Sequence, residues 1–177
     1  MSCEAAICRE TDVARSIEEL TLIFKDVFSR LASGVCVVAL WRGGHLHGFT
    51  ATSVISVSLR PLRVLFCVSH TSESYSFLTY GTAVGISILN LDQRALSDRF
   101  AGKVAFGAYD DVRIENGAQP APLLKGALGH ITAVVAEMIP SGDHSIVLCD
   151  VKSAHAEGDG TPLVYYRRTY QNLCHSV

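Results

Sequence analysis

Three polar clusters interrupt an otherwise apolar chain, and each has residue types that could do chemistry. The first is Thr50-Ala51-Thr52-Ser53, with Ser56 and Ser58 behind it. Hydroxyls and backbone amides packed this closely can hold a phosphate or a polyol without any positive charge. The same residues also read as a strand edge and turn rich in Ser and Thr. The second, Ser69-His70-Thr71-Ser72-Glu73-Ser74, runs from an apolar strand into a short helix. The free N–H groups at a helix start suit an anion, although an N-cap with local turn chemistry explains the pattern equally well. The third, Gly142-Asp143-His144, joins two long strand-like segments. Gly-Asp is good turn chemistry, and His144 at the rim of a pocket could donate a hydrogen bond to a substrate or sense its charge.

Other candidates carry less. His45 and His47 alternate along one strand with no carboxylate or thiol at ligand spacing, so both are expected on the hairpin surface and no metal is expected. His130, inside an apolar strand, reads as a satisfied core or interface residue. No G-x-S-x-G, H-E-x-x-H, P-loop or G-x-G-x-x-G occurs, which removes the commonest hydrolase, protease and nucleotide-hydrolase signatures and a Rossmann site. Of the six cysteines, Cys36, Cys67 and Cys149 lie in apolar runs, Cys3 and Cys8 in a polar N-terminal stretch, and Cys174 near the end of the chain. No C-x-x-C pair is present, so reduced thiols in a cytoplasmic protein are expected. Met1 to Arg15 carries both charge signs and no apolar core, unlike a signal peptide.

The elements that position these clusters follow from hydrophobic patterning. The chain has 177 residues, 49% of them hydrophobic and 18% charged, with a net charge of −2. That composition excludes a disordered chain and gives no field to hold nucleic acid or an anionic membrane. Residues 1–15 read as a flexible tail and 16–177 as one domain. Ser16-x-x-Glu19 has the form of a capping box opening a helix that carries Leu20, Phe24, Val27 and Leu31. Val35–Trp41 and His45–Thr52 flank Gly43-Gly44 as a β-hairpin. Further strands are expected at 63–69, 83–89, 126–138, 144–156 and 163–167. Short helices are expected at 72–80 and from an Asp92 cap to Phe100, and 102–123 reads as a long loop. About seven strands joined mostly by short turns favour a mainly β fold, a closed antiparallel barrel with peripheral helices.

Taken in order, these pieces resemble the flavin reductase component of two-component monooxygenases, the FMN-binding split-barrel family. The resemblance runs from about Phe24 to Tyr170. It rests on Phe28-Ser29-Arg30-Leu31-Ala32-Ser33-Gly34-Val35; on Gly48-Phe49-Thr50-Ala51-Thr52-Ser53, similar to the family's G-F-T-A-[ST]-S; and on Val57-Ser58-Leu59-Arg60-Pro61-Leu62 with Leu65-Phe66-Cys67-Val68. Ser97-Asp98-Arg99-Phe100-Ala101, Gly142-Asp143-His144 and Tyr166-Arg167-Arg168-Thr169-Tyr170 complete it. The chain departs from the pattern at Pro61-Leu62, where the family often has two prolines, in the loop from Lys103 to Phe106, and at Gly129-His130.

The resemblance implies a split β-barrel of FMN-binding, Greek-key-like type that forms a homodimer. It implies an NAD(P)H:flavin oxidoreductase that reduces FMN or FAD with NADH or NADPH and supplies reduced flavin to a separate monooxygenase. Thr50, Ala51, Thr52, Ser53 and Ser56 would line the ribityl chain and phosphate, with Ser72 near the phosphate. The backbone of Cys67, Val68 and Ser69 would face the ring, and Arg99, Phe100 and Lys103 would close the site. Asp143, His144 and Tyr170 would flank the nicotinamide, with His144 as the catalytic candidate. Catalysis would be mostly positioning of stacked rings, which suits a site with no evident strong acid or base. The alternatives are a tight flavin-binding electron carrier and a non-catalytic flavin-binding dimer of the same fold.

Overall fold

The structure, a computed structural model, describes residues 3–102, 109–115 and 120–173. In chain order it contains α1 (Cys3–Ser29), β1 (Ser33–Gly34), β2 (Cys36–Arg42), β3 (His45–Ala51), β4 (Ile55–Leu59) and β5 (Leu62–Ser69). There follow β6 (Ala83–Ile88), α2 (Arg94–Ala101), β7 (Gly129–Ser141), β8 (His144–Ala156), β9 (Val164–Tyr166) and β10 (Thr169–Gln171), with single 3₁₀ turns at Glu73–Phe77 and Leu91–Gln93. The fold is mainly β, as expected. Seven strands form one antiparallel sheet in the order β3-β2-β6-β7-β8-β5-β4, and β1, β9 and β10 form a second, small one.

The large sheet curls so that its two ends approach each other without joining. The result is a barrel with one seam open, between β3 and β5. Its interior holds Val38, Leu40, Phe49, Phe66, Ile86 and Val147. A second apolar cluster lies outside the barrel wall, where Val37, Ala39 and Leu46 meet Leu89, Phe100, Leu124 and Leu163. Successive strand residues point to opposite faces, so β2, buried on both, reads as the unbroken apolar run Cys36 to Leu40. Gly43 and Gly44 both take positive φ (59° and 82°), the two-residue turn whose twist matches the flanking strands, and it pairs Arg42 with His45.

Several sequence expectations shift. The first helix starts at Cys3 rather than Ser16, because no Gly or Pro interrupts residues 3–29 and a capping-box pattern inside a helix does not end the turns before it. The cap expected at Asp92 belongs to Asn90, whose side chain and that of Gln93 satisfy each other's backbone N–H, so α2 begins at Arg94. The helix expected at 72–80 is one 3₁₀ turn. Three short strands, β1, β4 and β10, add to the seven expected; β1 and β10 span two and three residues, too few for a period, whereas β4 alternates as Ile-Ser-Val-Ser-Leu, a signal that was there to read. The expected 102–123 loop falls partly outside the described residues. Within them Ile114 bridges to Leu124, and the Pro122 carbonyl packs directly over Gly85.

Candidate active site

The open seam leaves two strand edges exposed to the same space. β3 pairs with β2 alone, so its other edge has no strand partner. β5 pairs with β8 from Arg63 to Ser69, but with β4 only as far as Leu65, so beyond that residue its outer edge is open too. Ser53 spans the seam, its Oγ accepting the Cys67 N–H at 3.0 Å. The gap is a cleft of about 470 Å³. His47 to Ser53 wall one side and Cys67 and Ser69 the other; Thr71–Ser74, Phe100–Gly102, Tyr109 and His144 close its ends.

The walls are held from behind. The Thr50 hydroxyl donates to the Ser97 carbonyl at 2.6 Å, which fastens α2 to the open edge of β3. Phe100 and Tyr109 stack with centroids 4.0 Å apart and planes 8° from parallel. Phe100 reaches this position because Gly48 has no side chain: a Cβ there would lie 2.9 Å from the Phe100 ring and 2.7 Å from the Val38 carbonyl. Burial raises the pKa of the Tyr109 phenol, so it stays protonated. His47, expected on the hairpin surface, is buried and packs edge-on to Phe77 at 4.6 Å. Desolvation lowers its pKa and favours a neutral ring. His45 does lie near the surface, with Nδ1 3.0 Å from Asp110.

His144 stands at the start of β8, directly across from Ser69. Its Nδ1 lies 2.7 Å from Asp143 Oδ1, and that hydrogen bond holds the Asp143 carboxyl below the usual carboxylate range. An ionised carboxylate can only accept, so the proton sits on Nδ1 and the Asp143 contact orients the ring. Behind it, His70 Nε2 lies 3.0 Å from the buried Ser145 hydroxyl and its ring packs on Tyr75, stiffening the same turn.

A second cleft of about 420 Å³ opens on the far side of Thr50. Arg94, Asp98 and Ala101 of α2 line it, with Tyr165, Arg168, Thr169 and Tyr170 of the small sheet, and it shares Thr50, Thr52 and Ala101 with the first. Tyr170 donates or accepts a 2.9 Å hydrogen bond with Ser97 Oγ, and burial raises its pKa.

A profile described as the flavin reductase like domain matches residues 28–174 of this chain. The chain belongs to that family. It is an oxidoreductase of the NAD(P)H-dependent flavin reductase class. It is 37% identical over 155 residues to the actinorhodin polyketide dimerase of Streptomyces coelicolor, covering 86% of each chain. It is 36% identical over 150 residues to the reductase component of 4-hydroxyphenylacetate 3-monooxygenase from Thermus thermophilus, covering 85% of this chain and 95% of that one. Among solved structures, the NADH:FAD oxidoreductase SgcE6 of Streptomyces globisporus C-1027, in complex with NAD and FAD fragments, superposes with a TM-score of 0.81 at 27% identity. That match covers 88% of this chain and 94% of the other.

The first cleft of this flavin reductase suits a flavin. Unpaired strand edges offer the N–H and C=O groups that a flavin ring's polar edge needs, the hydroxyls suit a polyol chain, and Phe100 with Tyr109 gives an apolar wall. Of the residues singled out in the sequence, Thr50, Ala51, Thr52, Ser53, Cys67, Ser69, Ser72, Phe100 and His144 all line this cleft. Val68 turns its side chain into the core while its backbone stays on the open edge. Asp143 sits behind His144. Ser56 is exposed on β4, outside the cleft, and Arg99 is paired with Asp111. Tyr170 lies in the second cleft, apart from His144. Lys103 lies outside the described residues. His47, Glu73 and Tyr109 complete the lining. The two-residue period of β3 puts His47 on the face of Phe49 and Ala51, a signal that was there to read; Tyr109 comes from a stretch with no periodicity at all.

Proposed function

We propose that this chain binds FMN or FAD in the cleft between β3 and β5, takes a hydride onto it from NADH or NADPH, and releases reduced flavin to a separate monooxygenase. The observation that carries this reading is the open seam itself: two unpartnered strand edges, lined with hydroxyls, face each other across a gap that His144 overlooks. The flavin supplies the hydride-accepting ring when bound; the chain's residues bind, orient and exclude water. Thr50 to Ser53 and Ser69 would hydrogen-bond the flavin's polar groups, and Phe100 with Tyr109 would shield one end from water. His144, held by Asp143, would hydrogen-bond the nicotinamide carboxamide and fix its approach. The lining residues of this cleft among those described include no Lys or Arg, so its contacts to the flavin ring and polyol would be neutral ones.

The surface supports a homodimer. Ile17, Leu20, Phe24, Phe28 and Leu31 line one side of α1 and its end at 56–64% exposure, while Ile55, Leu59 and Leu62 expose themselves around β4. Monomers rarely show so much contiguous apolar surface, and a two-fold axis would cover it with its own copy. Light scattering should therefore give a mass near 38 kDa, about twice the chain's 19.1 kDa. No helix among the described residues is long and apolar enough to cross a membrane. A cytoplasmic location, where reduced nicotinamide is available, fits the reading.

The test is oxidation of NADH and NADPH by purified protein, crossed with FMN, FAD and riboflavin. Turnover that needs added flavin is expected. Flavin binding without turnover for any pair would reduce the chain to a binding protein of this fold.

A further inference from the structure

The first cleft holds one carboxylate and no described Lys or Arg, whereas the second holds two arginines against one carboxylate, Asp98. Among the described residues of the first, Glu73 brings negative charge beside Ser72. A phosphoryl group at Ser72 would meet a like charge there. On the other side of the Thr50–Thr52 wall, Arg94 rises from the first turn of α2 with its guanidinium 5.3 Å from the Tyr170 ring centre, and Arg168 comes from the β9–β10 turn. Neither arginine pairs with a carboxylate among the described residues.

The turn that presents Arg168 is itself unusual. Arg167 and Arg168 have φ of 48° and 63°, consecutive left-handed conformations that Asn-Gly would take with far less strain. The Arg167 N–H bonds to the Ser29 carbonyl at 2.6 Å, which ties the turn to the end of α1. The turn holds Arg168 in the lining of the second cleft, while Arg167 lies over the Tyr166 ring.

We propose that the second cleft is a phosphoryl subsite, in which Arg94 and Arg168 take the phosphoester end of a nucleotide whose ring lies in the first cleft. The two clefts share Thr50, Thr52 and Ala101, so a single ligand can span them. Guanidinium groups present a planar fork that matches phosphate oxygens, and the Thr50 hydroxyl, already committed to Ser97, leaves Thr52 and Thr169 to add neutral donors. The subsite makes the enzyme distinguish FMN and FAD from riboflavin. The assignment rests on the flavin reading above.

The experiment measures riboflavin, FMN and FAD dissociation constants by fluorescence quenching, and the NADH KM, for the full chain and for Arg168→Gln, Arg94→Gln, Arg168→Lys and Ser72→Ala. Each Gln variant should weaken FMN and FAD about tenfold while riboflavin changes less than about twofold, and Arg168→Lys should recover part of the loss. A selective rise in the NADH KM with FMN affinity intact would also support the subsite, with the nicotinamide dinucleotide as the source of the phosphoryl group. Equal weakening of FMN and riboflavin, no change in either flavin affinity or the NADH KM, or selective loss of FMN in Ser72→Ala alone overturns it. If the unaltered protein binds no flavin, the flavin reading fails separately. Calorimetry with inorganic pyrophosphate then decides the subsite: weaker binding in Arg168→Gln supports it, and no binding to the unaltered protein overturns it.

Discussion

The same seven-stranded sheet has a closed side and an open one, and they are built from different residues. On the closed side, β2, β6, β7 and β8 are paired along both edges; β2 and β6 are mainly aliphatic and almost wholly buried, and β7 and β8 bury alternate residues over their first halves. On the open side, β3 and β5 each leave an edge unpaired, and Thr50, Thr52, Ser53 and Ser69 replace the aliphatic residues there. Backbone groups left without a ladder must be satisfied by side chains, water or a ligand. The closed side therefore carries the stability, and the open side is left available for binding.

The strongest challenge to that division comes from the closed side. Gly85 of β6 lies so close under Pro122 that an added Cβ would sit 1.8 Å from its carbonyl oxygen. Gly85→Ala should cost about 3 kcal/mol, read as a lower urea midpoint. An unchanged midpoint would mean that the 120–123 segment is not packed on the sheet. On the open side, His144→Ala should lower kcat/KM for the nicotinamide about tenfold, roughly 1.4 kcal/mol, while flavin affinity stays within about twofold. Unaltered steady-state kinetics would remove His144 from the site.

Thr50→Val tests whether the two sides are coupled. It deletes the hydroxyl that ties β3 to the Ser97 carbonyl, at a cost of about 1 kcal/mol in stability, and it should weaken flavin by a few-fold at most. A larger loss of flavin than of stability would mark the hydroxyl as a direct ligand group instead. The smallest effect is pH-dependent. The His47 pKa is lowered in the fold from its ordinary 6.5, so the unfolded chain takes up the proton first as pH falls. Stability is thus fully present above 6.5 and declines below it. His47→Gln should flatten that part of the Tm-against-pH curve, and an identical slope in the variant would place the titration elsewhere.

Much of the site was legible because chemistry and periodicity coincide there. The Gly43-Gly44 turn sets the register of β3 against β2, and that register places Thr50 through Ser53 at the end of the hairpin. Gly142-Asp143 likewise sets His144 at the start of β8. His47 was misjudged because a histidine near a hairpin turn resembles surface until its strand face is compared with Phe49. Tyr109 could not be read at all: it reaches Phe100 from a segment without period. Tyr170 carried a family signature, yet its hydroxyl is engaged by Ser97 and its ring by Arg94, which hold it in the second cleft.

What the sequence by itself determined was local: which runs become strands, where the tight turns fall, and which clusters carry hydroxyls or a histidine. These follow from the two-residue side-chain period and the conformational freedom of glycine, both of which act over a few residues. Only the tertiary structure decided that the sheet closes everywhere except between β3 and β5, and that Arg94 and Arg168, 74 positions apart in the numbering, face one cleft. Those outcomes depend on sheet twist and on packing between distant segments, and no short stretch of sequence contains them.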